Sequence, residues 1–363
     1  MVTIKDVARQ AKVSVATVSR ALNQSGPVRE ATRLRIQEIA HRMRYVPHSA
    51  ARSLITSRTD TLGVLLPDLY GEFFSEVIRG MDEAAQRHGF HLLVSSSHAD
   101  KGEVEAAMRA MRGRVDGVVV MCPDLDATSL LNIPKALPLV LLCSSANGYG
   151  ADSVTIDNCR GARAMVRYLI SLGHRRVAII KGASGNFDAA ERLRGYRLAL
   201  RDADIAPTQD LEREGAFTEA GGYSAARELL DLNPRPTAIF AANDSMAIGA
   251  LSLLREFDVR VPSEIAIAGF DDIPLARYMD PPLSSVRVPI CELGARAIEI
   301  LVHGIAHKND HVRQRVRVST ELMIRRSCCA PPTERAPPAA SHEAFSPPSS
   351  LQPCPRELTH VNE

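Results

Sequence analysis

Apolar residues along most of this chain alternate between short continuous runs and longer stretches with helical spacing. The runs at 61–68 (TLGVLLPD) and 237–244 (TAIFAAND) are typical of strands buried on both faces of a sheet. The stretches at 73–89 and 245–257 place their apolar residues on one face of a helix. Because the alternation restarts after 153–157 (SVTID), we predict an α/β fold with two doubly wound lobes of parallel sheet.

The first sixty residues follow a different pattern, in which every predicted element is a short helix. Thr3 with Asp6 three residues later is close to a capping box, and Ser14 is a good N-cap for a second helix. The apolar face of the second helix is expected to contain Val15, Val18 and Leu22. A third helix is expected to complete the core with Thr32, Ile36, Ile39, Ala40 and Met43. Two short helices joined by a tight turn predict a helix-turn-helix, whose second helix enters the major groove of DNA.

The formal net charge of +2 conceals an asymmetry between this head and the rest of the chain. Residues 1–60 contain eleven Lys and Arg against four Asp and Glu, a balance of +7 that leaves about −5 for the other 303 residues. A basic head favours a polyanionic partner, although charge alone does not separate DNA from RNA or anionic lipid.

Composition narrows the class of protein further. No run of eighteen apolar residues occurs, and charges stand where a signal peptide needs its apolar core, so we expect a cytoplasmic protein without a membrane span. The seven cysteines form no C-x-x-C pair and the histidines have no metal-ligand spacing, so neither a metal nor a cofactor is expected. The sequence lacks the G-x-S-x-G, H-E-x-x-H, Walker A and G-x-G-x-x-G motifs, which argues against an enzyme.

Two long strings in the head, at 3–23 (TIKDVARQAKVSVATVSRALN) and 28–54 (VREATRLRIQEIAHRMRYVPHSAARSL), resemble the DNA-binding head of the LacI/GalR repressor family. The resemblance implies that Val15 and Ala16 face base edges, with Arg20 one turn later. An arginine there can bond both acceptors of a guanine, whereas Val15 and Ala16 can only contact thymine methyls or exclude bulk. The hydroxyls suited to phosphates or base edges are those of Ser14, Thr17 and Ser19. The alternatives are that Ser14 only caps the helix and that Ser19 is only solvated.

The segment 47–60 resembles the hinge helix of that family, which is disordered off DNA and ordered on the operator. The resemblance implies DNA contacts by Ser49, Ala50, Arg52 and Leu54. Leu54 would wedge into the minor groove and kink the duplex, which predicts an approximately palindromic operator with a deformable centre. The alternative is a flexible basic linker with a buried leucine.

The rest of the chain resembles the family's effector core, an architecture shared with periplasmic sugar-binding proteins. We expect a DNA-binding head at 1–46, the hinge and linker at 47–60, a two-lobed core at 61–328 and a disordered Pro- and Ser-rich tail at 329–363. The first lobe is expected to contain about 61–157 and 288–328, and the second about 158–287.

Ligands of such sheets bind at the carboxyl ends of strands, here in the cleft between the lobes. The residues that strand ends and resemblance assign to the ligand are Phe73, Phe74, Asp157, Arg192, Phe217, Asn243 and Asp271. Three alternatives stay open: Phe73 as core, Asp244 as a helix N-cap, and Asp272 as a partner of loop amides. At Cys143 many family members carry an acid that touches the ligand, so either the ligand lacks a hydroxyl there or another acid substitutes.

These features predict a homodimeric, sequence-specific transcriptional repressor that binds a pseudo-palindromic operator in double-stranded DNA. A sugar or sugar phosphate between the lobes would act as inducer. The alternatives are a corepressor-dependent, purine-like regulator, and a sugar-binding or enzymatic protein without a role on DNA. No leucine heptad occurs in the tail, so we expect no tetramerising coiled coil.

Overall fold

A computed structural model describes residues 2–23, 26–45, 58–98, 100–122, 137–144, 150–307 and 310–330. The predictions for the hinge residues Ser49, Ala50, Arg52 and Leu54, and for the tail beyond 330, lie outside the described residues. No helix in the described ranges is long and apolar enough to cross a membrane.

The head consists of three helices, α1 (Ile4–Ala11), α2 (Val15–Leu22) and α3 (Glu30–Arg42). The carboxylate of Asp6 accepts hydrogen bonds from the N–H (3.0 Å) and the hydroxyl (2.7 Å) of Thr3, which fixes the start of α1. The core contains the fully buried Val7, Val18, Ala21 and Ile36. Val15 differs from its expected place on the inner face, because it is the first residue of α2 and is 40% exposed.

The first lobe is built on a six-stranded parallel sheet in the order β11-β5-β4-β3-β1-β2. Its strands are β1 (Thr61–Leu66), β2 (His91–Ser96), β3 (Gly117–Val120), β4 (Leu139–Leu142), β5 (Asp152–Ile156) and β11 (Arg315–Val318). Its helices are α4 (Glu72–Arg87), α5 (Lys101–Met111) and α10 (Ile290–Ala306). The burial of every residue of β3 agrees with its continuous apolar run.

The second lobe repeats this plan with the sheet order β12-β10-β9-β8-β6-β7. Its strands are β6 (Val177–Lys181), β7 (Glu212–Glu214), β8 (Ala238–Ala241), β9 (Ala266–Asp271), β10 (Ser284–Arg287) and β12 (Glu321–Met323), with only β12 antiparallel to its neighbour. Its α-helices are α6 (Asn158–Ser171), α7 (Phe187–Asp202), α8 (Glu219–Leu230) and α9 (Asp244–Glu256). The predicted two-lobed α/β fold is therefore confirmed.

The end of the core differs from the sequence-based expectation, which placed all of 288–328 in the first lobe. β11 joins the first sheet, but β12 pairs with β10 of the second, with Ser285 opposite Met323. Further along, the Ser327 hydroxyl donates to the Ile267 carbonyl (2.6 Å). The chain thus crosses between the lobes a third time at 319–320, and 321–328 belong to the second lobe. Two short strands separated by two residues resemble one hairpin in sequence, which hides this crossing.

Close helix packing in the first lobe depends on two glycines. A Cβ added to Gly80 of α4 would overlap the backbone carbonyl of Cys291, and one added to Gly294 of α10 would overlap the carbonyl of Val77. Because neither residue carries a side chain, the backbones of α4 and α10 approach each other directly.

Candidate functional site

The exposed face of α2 collects the residues predicted to contact DNA in the head. Ser14, Val15, Ala16 and Arg20 are exposed, and Thr17 and Ser19 are half-buried. The Ser14 hydroxyl accepts the N–H of Thr17 (3.1 Å), so its capping role is confirmed. Ser19 accepts a hydrogen bond from the Asn23 side chain (3.3 Å), so it is not simply solvated. The DNA contacts themselves stay predictions.

A cavity of about 400 Å³ lies between the two lobes, at the carboxyl ends of β1, β6, β8 and β9. Six of the seven residues predicted to bind ligand line it, namely Phe73, Phe74, Arg192, Phe217, Asn243 and Asp271. Lining residues that the sequence reasoning did not select include His98, Met121, Asn186, Asp188, Glu219 and Ser245. A volume of this size is typical of a site for a small ligand.

The seventh residue, Asp157, does not line the cavity. It lies at the first crossing between the lobes, where its N–H donates to the carbonyl of Val318 (2.9 Å). The next residue, Asn158, is buried instead among the polar groups of the cleft, and its amide donates to Asp188 (2.7 Å). Where two polar residues follow a strand, the sequence alone does not show which of the two side chains points into the cleft. Ligand contact by Asp157 stays a prediction.

Arg192 is the central polar group of the cleft, with a side chain that is only 4% exposed. Its guanidinium donates to the Ala242 carbonyl (2.6 Å) and to the Asn158 side-chain oxygen (2.9 Å). It also forms an ion pair with Asp271 (3.0 Å) and lies 3.9 Å from the ring centroid of Phe270. These contacts hold the guanidinium plane in one position beneath the cavity.

Two buried carboxylates flank this arginine. Burial raises the pKa of Asp188 to about 6, with Arg192 and the Asn158 hydrogen bond opposing the shift. Burial raises the pKa of Asp271 to about 6 as well, against the attraction of Arg192. The thiol of Cys143 is fully buried beside Asp188, and burial raises its pKa well above the ordinary value. The uncharged thiol of Cys143 is therefore accompanied by a carboxyl group, that of Asp188. The four-residue spacing between Asp188 and Arg192 on α7 is the sequence pattern that could have identified this acid.

Replacing the buried Asp188 is expected to stabilise the protein without ligand. Its folded pKa of about 6 lies above the ordinary value of an aspartate, so the folded state binds the proton more tightly than the unfolded state. Its contribution to stability therefore falls as the pH rises from about 4 to about 6, and the loss persists above pH 6. Asp188→Asn should raise the free energy of unfolding near pH 7.5 and leave it unchanged near pH 4, as measured by urea unfolding.

Asp210→Asn is the matched control for that measurement. The hydrogen bond from Arg176 lowers the pKa of the partly exposed Asp210, so removing this charge should not stabilise the protein near pH 7.5. Equal stability of wild type and Asp188→Asn at both pH values would contradict the assignment of an unfavourable buried charge at 188.

Asn243 joins two parts of the cleft. Its side-chain oxygen accepts the N–H of Met246 (2.9 Å) and so caps α9, while its amide donates to the carbonyl of Phe217 (3.1 Å). Phe217 has φ of 64° and Asp271 has φ of 104°, conformations that non-glycine residues rarely adopt. Each costs on the order of 1–3 kcal/mol and is typical of functional sites. Asn243 thus holds the Phe217 ring in a strained position against the cavity.

The alternative roles of Asp244 as a helix N-cap and of Asp272 as a partner of loop amides are both wrong. Asp244 does not cap α9, since Asn243 does; its buried carboxylate accepts from the Ile273 N–H (2.9 Å) and the Ser285 hydroxyl (2.6 Å). The carboxylate of Asp272 forms ion pairs with guanidinium groups rather than contacts with loop amides, at 2.8 Å to Arg287 and 2.7 Å to Arg325.

Phe73 combines both of its interpretations. It lines the cavity, and it also packs against the main core, with its ring edge on Phe74 at a centroid distance of 5.6 Å.

Comparison with known proteins identifies both parts of the chain. Residues 3–48 match the family model of bacterial regulatory proteins, lacI family, and residues 166–328 match that of the periplasmic binding protein-like domain. The ribose operon repressor of Haemophilus influenzae is 34% identical over 314 residues, which cover 86% of this chain and 95% of that protein. The transcriptional regulator GalS of Salmonella typhimurium is 37% identical over 308 residues, covering 84% and 91%.

Solved structures agree with these matches. The lac repressor dimer bound to operator and the anti-inducer ONPF superposes with a TM-score of 0.82 at 27% identity. The match covers 91% of this chain and 99% of that chain. A complex of the transcriptional regulator CelR with cellobiose superposes with a TM-score of 0.68 at 32% identity, covering 90% and 100%.

Proposed function

This chain belongs to the lacI family of bacterial regulatory proteins, and from this membership we infer that it is a sequence-specific transcriptional repressor controlled by a small ligand. The observation that carries the proposal is the presence, in one chain, of an exposed helix α2 after a tight turn and of a polar cavity between two lobes. The ribose operon repressor and the CelR–cellobiose complex support a sugar as the ligand. The relatives are transcriptional repressors and regulators, and we propose no catalytic activity.

The cavity offers what a sugar requires. Carboxylate and amide groups such as Asp271 and Asn243 bond neighbouring hydroxyls, and the rings of Phe74 and Phe217 supply apolar faces for the C–H side of a pyranose. Arg192 holds the neighbouring polar groups in place through hydrogen bonds, and its own charge is paired with Asp271. We assign ligand contact to the six predicted residues that line the cavity.

The proposed mechanism is negative control by induction. A homodimer in the cytoplasm binds a pseudo-palindromic operator through the head at 1–46, with two copies of α2 reading two half-sites. Sugar binding changes the angle between the lobes about the crossings at 157, 288–289 and 319–320, and the hinge at 47–60 then releases the DNA. The sugar must bind the released state more tightly than the DNA-bound state, since equal affinity shifts no equilibrium.

A gel-shift experiment tests this mechanism. DNA from upstream of the gene is titrated with the full chain, with and without ribose, galactose and cellobiose. Release of the DNA by one of these sugars supports induction, and tightening indicates a corepressor. Failure to bind any upstream fragment would exclude the proposed repressor function.

Arg20→Ala is expected to weaken operator binding by about 1–3 kcal/mol and to relax the preference at one base pair. Arg20 is exposed on α2, where its guanidinium can reach a guanine edge. Selection from a randomised operator library measures the preference. Arg9→Ala removes the same charge from α1 and should leave every base preference intact. An unchanged preference in the Arg20 variant would refute its role in base reading.

A further inference from the structure

The cavity between the lobes carries an unbalanced charge. Among the described lining residues, five are acidic and one is a permanent cation, Arg192. The acidic residues are Asp68, Glu72, Asp188, Glu219 and Asp271. The exposed His98 also lines the cavity.

The charge of Arg192 is already paired within the protein. Each of its three nitrogens has a partner, in Asn158, Ala242 and Asp271, and its guanidinium lies over the Phe270 ring. A phosphate that recruited this guanidinium would strip Asp271 of its ion pair and leave a buried carboxylate uncompensated. Among the described lining residues, the one permanent cation therefore neutralises charge that the protein itself supplies.

The carboxylates keep acceptor capacity toward the cavity. Glu72 accepts the Leu275 N–H (2.8 Å) through one oxygen, and Glu219 accepts the Ser245 hydroxyl (2.6 Å) through one oxygen. Asp188 accepts hydrogen bonds from the Asn158 amide and the Cys143 thiol, which leave part of its acceptor capacity, and its side chain is buried where water screens charge weakly. A carboxylate only accepts hydrogen bonds, so these groups select ligands that donate.

We infer that the effector is a polyhydroxy compound without phosphate or carboxylate groups, neutral or amine-bearing, and that Asp188 is the residue that enforces this limit. The inference rests on the proposed function of the cavity as the effector site. Hydroxyl and ammonium groups can donate to the remaining acceptor positions of these carboxylates. A sugar phosphate would bring two negative charges beside Asp188 and Asp271 with no free cation among the described lining residues. This charge balance of the described lining residues disfavours the phosphorylated inducers that the sequence admits.

Calorimetry on the full chain near pH 8 tests the charge preference. The probes are ribose with ribose 5-phosphate, and glucose or galactose with the corresponding 2-amino sugar, 6-phosphate and aldonic acid. In each series we expect the neutral or amino member to bind at least about tenfold more tightly than the anionic members. An anionic member that binds most tightly in any series would overturn the inference.

Two variants assign the discrimination to one residue. Asp188→Asn should shift the ratio of phosphate to neutral-sugar affinity toward phosphate by about tenfold or more. Glu191→Gln makes the same charge change three residues along α7, outside the lining, and should leave the ratio unchanged. Equal ratios in wild type and Asp188→Asn would overturn the role of Asp188.

A measurement with simple ions separates this inference from the proposed function. Thermal unfolding of the full chain is followed in inorganic phosphate, in the cationic triol Tris and in sodium chloride at equal ionic strength. We expect phosphate to stabilise the wild type and Arg192→Gln to the same extent, because its exclusion from protein surfaces stabilises folded proteins in general. Stabilisation by phosphate that Arg192→Gln abolishes would overturn the inference. If no sugar alters operator binding, the proposed sugar control fails, while the ion comparison still decides the charge preference.

Discussion

Arg192→Met is expected to destabilise the protein by about 3–5 kcal/mol, because it leaves two buried carboxylates without their cation. The variant retains most of the apolar stem but removes the donors to Ala242 and Asn158 and the ion pair with Asp271. Any folded fraction should bind operator DNA without responding to the effector. Urea unfolding near pH 7.5 measures the loss of stability, and a gel shift with added sugar measures the response.

A double variant shows where this loss arises. Adding Asp271→Asn to Arg192→Met removes one of the stranded charges, so the double variant should be more stable than Arg192→Met alone. Arg194→Met on the same helix breaks an exposed pair with Glu191 and should cost less than about 1 kcal/mol. If the two arginine variants lost equal stability, the guanidinium of Arg192 would not hold the cleft together.

Gly294→Ala is expected to destabilise the first lobe by about 3 kcal/mol or more, although alanine favours helices by about 1 kcal/mol over glycine. The new Cβ would overlap the carbonyl of Val77 and lie 3.2 Å from the Met81 side chain. Because the first obstacle is backbone, α10 must move away from α4, which disrupts the interface at Gly80 as well. Thermal unfolding of the full chain measures the effect.

The same helix supplies the control. At Gly304 of α10 an added Cβ would meet the His311 ring at 3.7 Å, an ordinary contact. Gly304→Ala should therefore be neutral or stabilise by about 0.5–1 kcal/mol through helix propensity alone. Stabilisation by Gly294→Ala of the same size would show that α4 and α10 tolerate a wider separation.

The alternation of apolar runs was sufficient to predict the two-lobed fold. Strands buried on both faces give continuous apolar runs, whereas helices buried on one face give apolar residues at helical spacing. The run at 117–120 is apolar throughout and forms the fully buried β3. The third crossing was not predictable, since β12 is three residues long and its pairing with β10 depends on contacts between distant parts of the chain. A short strand whose two faces are both partly exposed carries little periodic signal.

Strand ends located the cleft but not the direction of each side chain. Sequence reasoning placed Asp271 at the cavity because it ends a buried strand, and the family resemblance placed Arg192 there. Sequence reasoning selected Asp157 rather than Asn158 and overlooked Asp188. The direction of each of these side chains depends on the local backbone conformation, which the sequence does not show. The assignment of capping to Asn243 instead of Asp244 has the same origin, a shift of one residue at a helix start.

The third crossing also determines when each lobe can be completed during synthesis. The chain reaches α10 and β11 of the first lobe only after it has made β6 through β10 of the second. At about 5–20 residues per second, the interval between α4 and α10 is on the order of ten to forty seconds on the ribosome. During this interval the face of α4 that contains Gly80 has no partner helix. Both lobes thus stay incomplete until the end of the core is made, the first until β11 and the second until β12, and the open face of α4 is the surface that a nascent chain would offer to chaperones.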